Sequence, residues 1–142
     1  MIGIICSILA GIFMSLQGVF NTRVSQKIGS WETNTLVQGS GLMLTLVILF
    51  FAGNGSFKKI KDVNCLYLVG GFIGVFIIFT VMKGIQSLGP TYSIAIILVA
   101  QLLSGICIEV FGFFDTTPIV FHFSKILGVL LMIAGIVLFK LK

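Results

Sequence analysis

From Tyr92 to Phe114 the chain runs through 23 residues with a single charged side chain, Glu109. As a helix that stretch is about 34 Å long, enough to cross a hydrocarbon core of about 30 Å. Four other apolar stretches punctuate the sequence: Ile2 to Phe20, Thr35 to Ala52, Cys65 to Met82 and Ser124 to Phe139. A membrane helix needs about 17 to 25 mostly apolar residues. Four of the five stretches satisfy this directly. The fifth, with 16 residues, is short unless Ile119 to Phe123 extends it, although Lys140 and Lys142 could snorkel to the interface. The pattern predicts an all-α integral membrane protein, a compact bundle of about five transmembrane helices in one domain covering residues 1–142. Four spans plus a re-entrant or interfacial segment is the alternative.

Composition agrees. Only 9% of the 142 residues are charged, against about a quarter in a soluble domain, too few to wet such a domain's surface. Soluble helices would also show polar stripes, and barrel strands would alternate; segments such as LMLTLVILFFAG do neither. The net charge of +5 is dispersed, with one cluster at Lys58, Lys59 and Lys61 beside Asp62. That cluster suits a membrane surface and is too small to track a phosphate backbone, so no nucleic-acid partner is expected. Cys6, Cys65 and Cys107 are odd in number and adjoin apolar runs; with one histidine in the chain, neither a disulfide framework nor a metal site is expected. The first run has no basic residue before it and has Arg23 and Lys27 behind it, so it reads as a retained span rather than a removable leader.

The connecting segments read as Asn21–Asn34, Gly53–Asn64, Gly84–Thr91 and Asp115–Phe123. Gly89-Pro90 is a tight junction that ends one helix and opens the next. Five spans put Lys58, Lys59, Lys61 and Lys125 on one side, and Arg23, Lys27, Lys83, Lys140 and Lys142 on the other. Four against five is no usable bias under the positive-inside rule. Either one or two local charges set a single orientation, or the chain inserts both ways and pairs as an antiparallel dimer. Ser7, Gly11 and Ser15, Gly70 and Gly74, and Gly128 and Gly135 form small-residue patterns that permit close helix packing.

Polar residues at membrane depth are the functional candidates. Gln101 lies nine residues, about 14 Å, into the fourth stretch, with Ser104 and Glu109 further along it. Glu109, about five residues from the end of that stretch, is the only carboxylate within a predicted span. Gln17 and Asn21 are four apart, hence on one helical face. Asn34, Gln38, Ser40, Lys83 and Gln86 fall at the same predicted end, making a collar suited to hydrogen bonding. Each has a plain structural reading too: an interhelical hydrogen bond for Gln101, an interface carboxylate satisfied by water or a lysine for Glu109, a helix cap for Asn21. There is no paired-carboxylate, Cys-His or Ser-His constellation, and no phosphate or dinucleotide loop, so no enzyme activity and no cofactor are expected.

Three stretches resemble a known family: GIFMSLQGVFNTRVSQKIGS near the start, GPTYSIAIILVAQLLSGICIEVFGFFD, and KILGVLLMIAGIVL at the end. Together they resemble the short YdcZ-like proteins of the drug/metabolite transporter superfamily, over nearly the whole chain. The resemblance implies an inner-membrane protein related to the ten-helix EamA-type transporters at about half their length. It also implies that Gln17 and Asn21 match recurrent amides, and that Gln101 to Ser104 matches a Q-L-x-x-S stretch. Where relatives often carry an aspartate before F-G, this chain has Glu109 before Val110, Phe111 and Gly112. The related small multidrug resistance proteins carry a carboxylate in the first helix; this chain has none there.

An odd number of spans gives the half-length form a physical logic. Two five-helix units joined end to end lie in opposite orientations, the inverted repeat used for alternating access. A single unit reaches the same arrangement by pairing with an inverted copy or a paralogous half-transporter. The expectation is therefore a gradient-driven transporter of a small metabolite or drug-like organic solute. Gln17, Asn21, Gln101 and Ser104 would bind substrate, and Glu109 would couple or gate. The rival expectation is a non-transporting structural or regulatory membrane subunit.

Overall fold

The computed structural model describes residues 2–118 and 122–140. Lys142, and the residues 119–121 that could extend the fifth span, lie outside them. Among the described residues there are helices and no strands. Five helices are long and apolar enough to cross a membrane, as expected for an all-α membrane bundle. They are α1 (Ile2–Ile28), α2 (Ser30–Ala52), α3 (Gly70–Leu88), α4 (Pro90–Phe111) and α5 (Phe123–Lys140). The protein is a multi-pass integral membrane protein. Its side chains meet that solvent directly, with Phe50, Phe51 and Ile2 each 80% exposed or more. Lipid tails cover such faces at no cost, while the helices satisfy their own backbone groups.

The first junction differs from the sequence reading. Residues 21–34, a polar linker by composition, are helical except for Gly29. Polarity marks the depth at which a helix leaves the hydrocarbon, and the helix itself need not stop there. Helix α1 has 27 residues, about 40 Å, so its last turns project beyond the apolar slab or the helix tilts. The break needs one residue, because Gly29 adopts φ 100 and ψ 158, a conformation open to glycine and costly to others. The Glu32 carboxylate folds over the space a Gly29 side chain would fill, placing negative charge at the α2 N-terminus.

A second junction uses the same device. Gly89 at φ 80 separates α3 from α4, with Pro90 at the first turn of α4. Helix α4 ends at Phe111, three residues before the predicted end, because Gly112 turns left-handed at φ 64. Between α2 and α3 the chain forms 3₁₀ turns at Phe57–Asp62 and Cys65–Val69. At three residues per turn Phe57 and Ile60 share one row and Lys58 and Lys61 the next, an apolar edge beside a basic one.

The chain divides into two compact units, Met1–Ser87 and Leu88–Lys142. In the N-terminal unit, α1 and α2 form a hairpin whose seam is polar: Thr22, Ser25, Thr33 and Asn34 are buried, and Asn21 is 8% exposed. Helix α3 joins it through several contacts. Gln86 Nε2 donates to Ser25 Oγ at 2.7 Å, Asn34 Nδ2 donates to the Val75 carbonyl at 2.7 Å, and Trp31 stacks on Phe79 at 4.5 Å. Met82 and Ile85 supply the buried apolar part.

Close helix packing does not follow the small-residue patterns of the sequence. Within this unit, a Cβ placed on Gly11 or Gly70 meets nothing within 4 Å, whereas one placed on Gly74 would lie 3.4 Å from Gln38 Nε2. The tightest approach is instead at Gly18, where a Cβ would come within 2.9 Å of Ile85 Cδ1 and 3.1 Å of Val81 Cγ1.

The C-terminal unit is the antiparallel hairpin of α4 and α5, with Val99 and Val129 buried. Lys140 Nζ sits 5.3 Å from the Tyr92 ring centroid at one end. Lys125 Nζ lies 3.6 Å from Glu109 Oε2 at the other. Each link joins α4 to α5, so the two mark the register of the hairpin at its ends.

Candidate functional site

The α4 sequence places Gln101, Leu102, Gly105, Ile106 and Glu109 on one face, because residues three and four apart stack on a helix. On α5, Lys125, Gly128, Val129 and Met132 do the same. These two faces line an open cavity of about 600 Å³ between the helices, within the range of small-molecule sites. The hollow has a simple cause. Gly105 and Gly128 both line it, and a Cβ on either would meet nothing within 4 Å. Removing two side chains from facing helices leaves a space that packing would otherwise fill.

The wall is mostly apolar with three convergent polar groups. Glu109 and Lys125 form an ion pair at 3.6 Å, with Glu109 53% and Lys125 32% exposed. Gln101 lies eight residues before Glu109, about 12 Å along the helix. The cavity can therefore offer a carboxylate and an ammonium near one end, an amide farther in, and hydrocarbon between them. With α4 ending at Phe111, Glu109 occupies its last turn, nearer the helix end than the sequence implied.

The other predicted site residues fall elsewhere. Ser104 is not on the cavity wall; its hydroxyl donates to the Ala100 carbonyl at 2.9 Å. Gln17 and Asn21 belong to the N-terminal unit, Gln17 exposed on α1 and Asn21 buried in the seam. That unit has its own open cavity of about 400 Å³, lined by Trp31, Asn34, Gln38 and Val75 among others. Asn34 is 2% exposed there, and its Oδ1 has no hydrogen-bond partner among the described residues. Among the described residues, no group of His, Cys, Asp or Glu could hold a metal ion.

Residues 2–138 of the chain match the protein family described as "Putative inner membrane exporter, YdcZ". The chain belongs to the YdcZ family. The Inner membrane protein YdcZ of Escherichia coli (strain K12) is 29% identical over 136 residues, which cover 90% of this chain and 87% of that protein. No solved structure matches. The five spans and the match to a family described as an inner membrane exporter place the protein in the inner membrane and support a role in membrane transport.

For this YdcZ-family chain, the sequence singled out Gln101 and Glu109 and missed their surroundings. The plain reading of Glu109 as a carboxylate satisfied by a lysine finds its lysine in Lys125, which the sequence marks only as a topogenic charge, and Gly128 reads there only as a packing residue. The signal was present: folding α4 and α5 as an antiparallel hairpin with Glu109 opposite Lys125 brings Gly105 and Gly128 to adjacent levels. Asn34, assigned to the start of a span, is the most deeply buried amide in the N-terminal seam.

Proposed function

We propose that the protein is a gradient-driven exporter of a small organic solute, which binds in the α4–α5 cavity. The observation that carries this reading is the cavity itself: about 600 Å³, opened by Gly105 and Gly128, and carrying Gln101 and Glu109 on its wall. Its mixture of hydrocarbon and a few convergent polar groups is the usual composition of a site for a small ligand. Gln101 supplies donor and acceptor to the solute. Glu109 acts as a gate through its pair with Lys125.

Alternating access needs a second half. In this proposal it comes from another copy, or a paralogous half-transporter, inserted in the opposite orientation, so that two five-helix units form an inverted pair. The near-even division of basic residues is compatible with insertion both ways. In the N-terminal unit, Gln17 is exposed on α1 and offers a further amide to a solute, while Asn21 is held in the α1–α2 seam.

The test is flux through vesicles containing the purified protein, loaded with metabolite mixtures under imposed solute, proton or sodium gradients, beside a Gln101→Leu variant. Solute movement that falls in the variant while the oligomer persists supports the proposal. No movement under any gradient, with the oligomer intact, rejects it in favour of a structural or regulatory subunit. Accessibility of a C-terminal tag from both faces of the membrane tests the inverted pairing, and labelling from one face alone excludes dual insertion.

A further inference from the structure

The charge pattern of the α4–α5 cavity narrows the kind of solute it can take. Glu109 and Lys125 are the two charged residues on its wall among those described. Their 3.6 Å separation exceeds the 2.7–2.9 Å of a charge-assisted hydrogen bond between ammonium and carboxylate. Both are substantially exposed, and an exposed pair of this kind contributes little to stability. The pair is therefore close enough to act as one dipolar element and loose enough for a ligand to open.

A simple cation drawn to Glu109 meets Lys125 beside it, and a simple anion drawn to Lys125 meets Glu109. Each gains one attraction and incurs one repulsion at nearly the same distance. A molecule carrying both an ammonium and an acidic oxyanion a few bonds apart avoids this conflict. Its ammonium faces the Glu109 carboxylate, its oxyanion faces the Lys125 ammonium, and four charges alternate around the opening. Behind them Leu102, Ile106, Val129 and Met132 offer an apolar wall for the body of the molecule.

We infer that this cavity binds a zwitterionic head group, an ammonium paired with a carboxylate or phosphate, attached to an apolar body. The inference rests on the reading of the cavity as the transport site and names the class of molecule it takes. Two sources share that chemistry: a free organic zwitterion, and the ammonium–phosphate head group of a membrane lipid.

The experiment uses the full chain in phosphatidylglycerol vesicles, which contain no zwitterionic lipid. They are loaded in turn with radiolabelled α-amino acids bearing apolar side chains, the matching amines and the matching carboxylates. The wild-type protein moves the zwitterion about tenfold faster or more than either single-charge analogue, since each analogue meets one charge of the pair without an opposite charge to offer it. Glu109→Gln shifts the preference toward the carboxylate, and Lys125→Gln shifts it toward the amine. The charge-swapped double variant, Glu109→Lys with Lys125→Glu, restores the zwitterion preference; the opposite shifts of the two single variants are what a merely structural pair would not produce.

A second arm adds phosphatidylethanolamine to the vesicles. Inhibition of amino-acid flux in wild type and not in the doubly neutral variant, or lipid retained by wild type alone through purification, identifies the head group as an occupant. Equal rates for zwitterion, amine and carboxylate in the wild type, together with no retained phosphatidylethanolamine, overturn the inference. So do single variants whose preference is unchanged. If other members of a metabolite mixture move while zwitterions do not, the inference fails and the transport reading stands. If nothing moves under any gradient and no phosphatidylethanolamine is retained, both fail together.

Discussion

Replacing Gly128 by leucine separates the stability of the C-terminal hairpin from its function. Gly128 lies inside α5, and a Cβ there meets nothing within 4 Å, so the first atom of the new side chain causes no clash. Glycine within a helix is about 0.8–1.0 kcal/mol less favourable than alanine, and leucine is close to alanine. The substitution therefore raises the stability of the folded state by about 0.7 kcal/mol, roughly threefold in the folding equilibrium. An overpacked site would instead lose about 1–3 kcal/mol, so the sign of the change tests the geometry. The remaining side-chain atoms project into the cavity shared with Gln101 and Glu109 and occupy the space available to a solute. Reversible unfolding in mixed micelles measures the first effect, and vesicle flux the second. The expected result is a slightly more stable protein with flux reduced about tenfold or more, because the remaining hollow no longer admits the reacting geometry of ligand and polar groups. Wild-type flux with leucine in place would refute the cavity as the solute path. A loss of stability accompanied by dissociation of the oligomer would show instead that the glycine face packs against a second copy.

Three other substitutions probe the remaining features. Asn34→Leu keeps the branching of the side chain while removing both the hydrogen bond to the Val75 carbonyl and the unpartnered Oδ1. A membrane hydrogen bond averages about 0.6 kcal/mol and an orphaned acceptor costs about 1–3 kcal/mol. The variant is expected to unfold at equal or higher denaturant, and a loss above about 1 kcal/mol would mean that Oδ1 has a donor in the membrane. Gly18→Leu forces α1 from Ile85 and Val81 and is expected to cost about 1–3 kcal/mol by the same unfolding assay, whereas Gly11→Leu, with open space like Gly128, is expected to gain about 0.7 kcal/mol. Equal losses at both positions would contradict the seam described. Changing Lys58, Lys59 and Lys61 to Gln leaves one basic residue, Lys125, of the four on that side, against five on the other. A tag at the C-terminus is then expected on the cytoplasmic face alone, and continued labelling from both faces would remove the lysine cluster as a determinant of orientation.

Much of the architecture was legible without coordinates because the membrane imposes it through composition. A run such as Tyr92 to Phe114 with one charge has few stable alternatives to a spanning helix, since an unpaired backbone in hydrocarbon is too costly. Helix ends were less legible. Asn21 to Asn34 is polar because it leaves the hydrocarbon, yet it remains helical until one glycine at φ 100 breaks it. Composition reports the solvent around a segment, while termination depends on a single backbone conformation. The small-residue patterns left the packing faces unassigned for a related reason: Gly11 and Gly18 look alike in sequence, and of the two only Gly18 has Ile85 and Val81 across from it.

The sequence by itself determined that this chain lives in a membrane, that it has five helices to span it, and that Gln101 and Glu109 are polar groups on one of them. Those properties are local: each follows from residues within about 20 positions and the solvent they must enter. The tertiary structure decided what Glu109 faces and why there is room beside it. Lys125 lies 16 residues away in sequence and 3.6 Å away in space, and Gly128 becomes the opposite wall from Gly105 only when α5 folds back antiparallel to α4. Periodicity within one helix defines a face. The register between two helices, marked here at one end by Lys140 against Tyr92 and at the other by Lys125 against Glu109, turns two faces into a site.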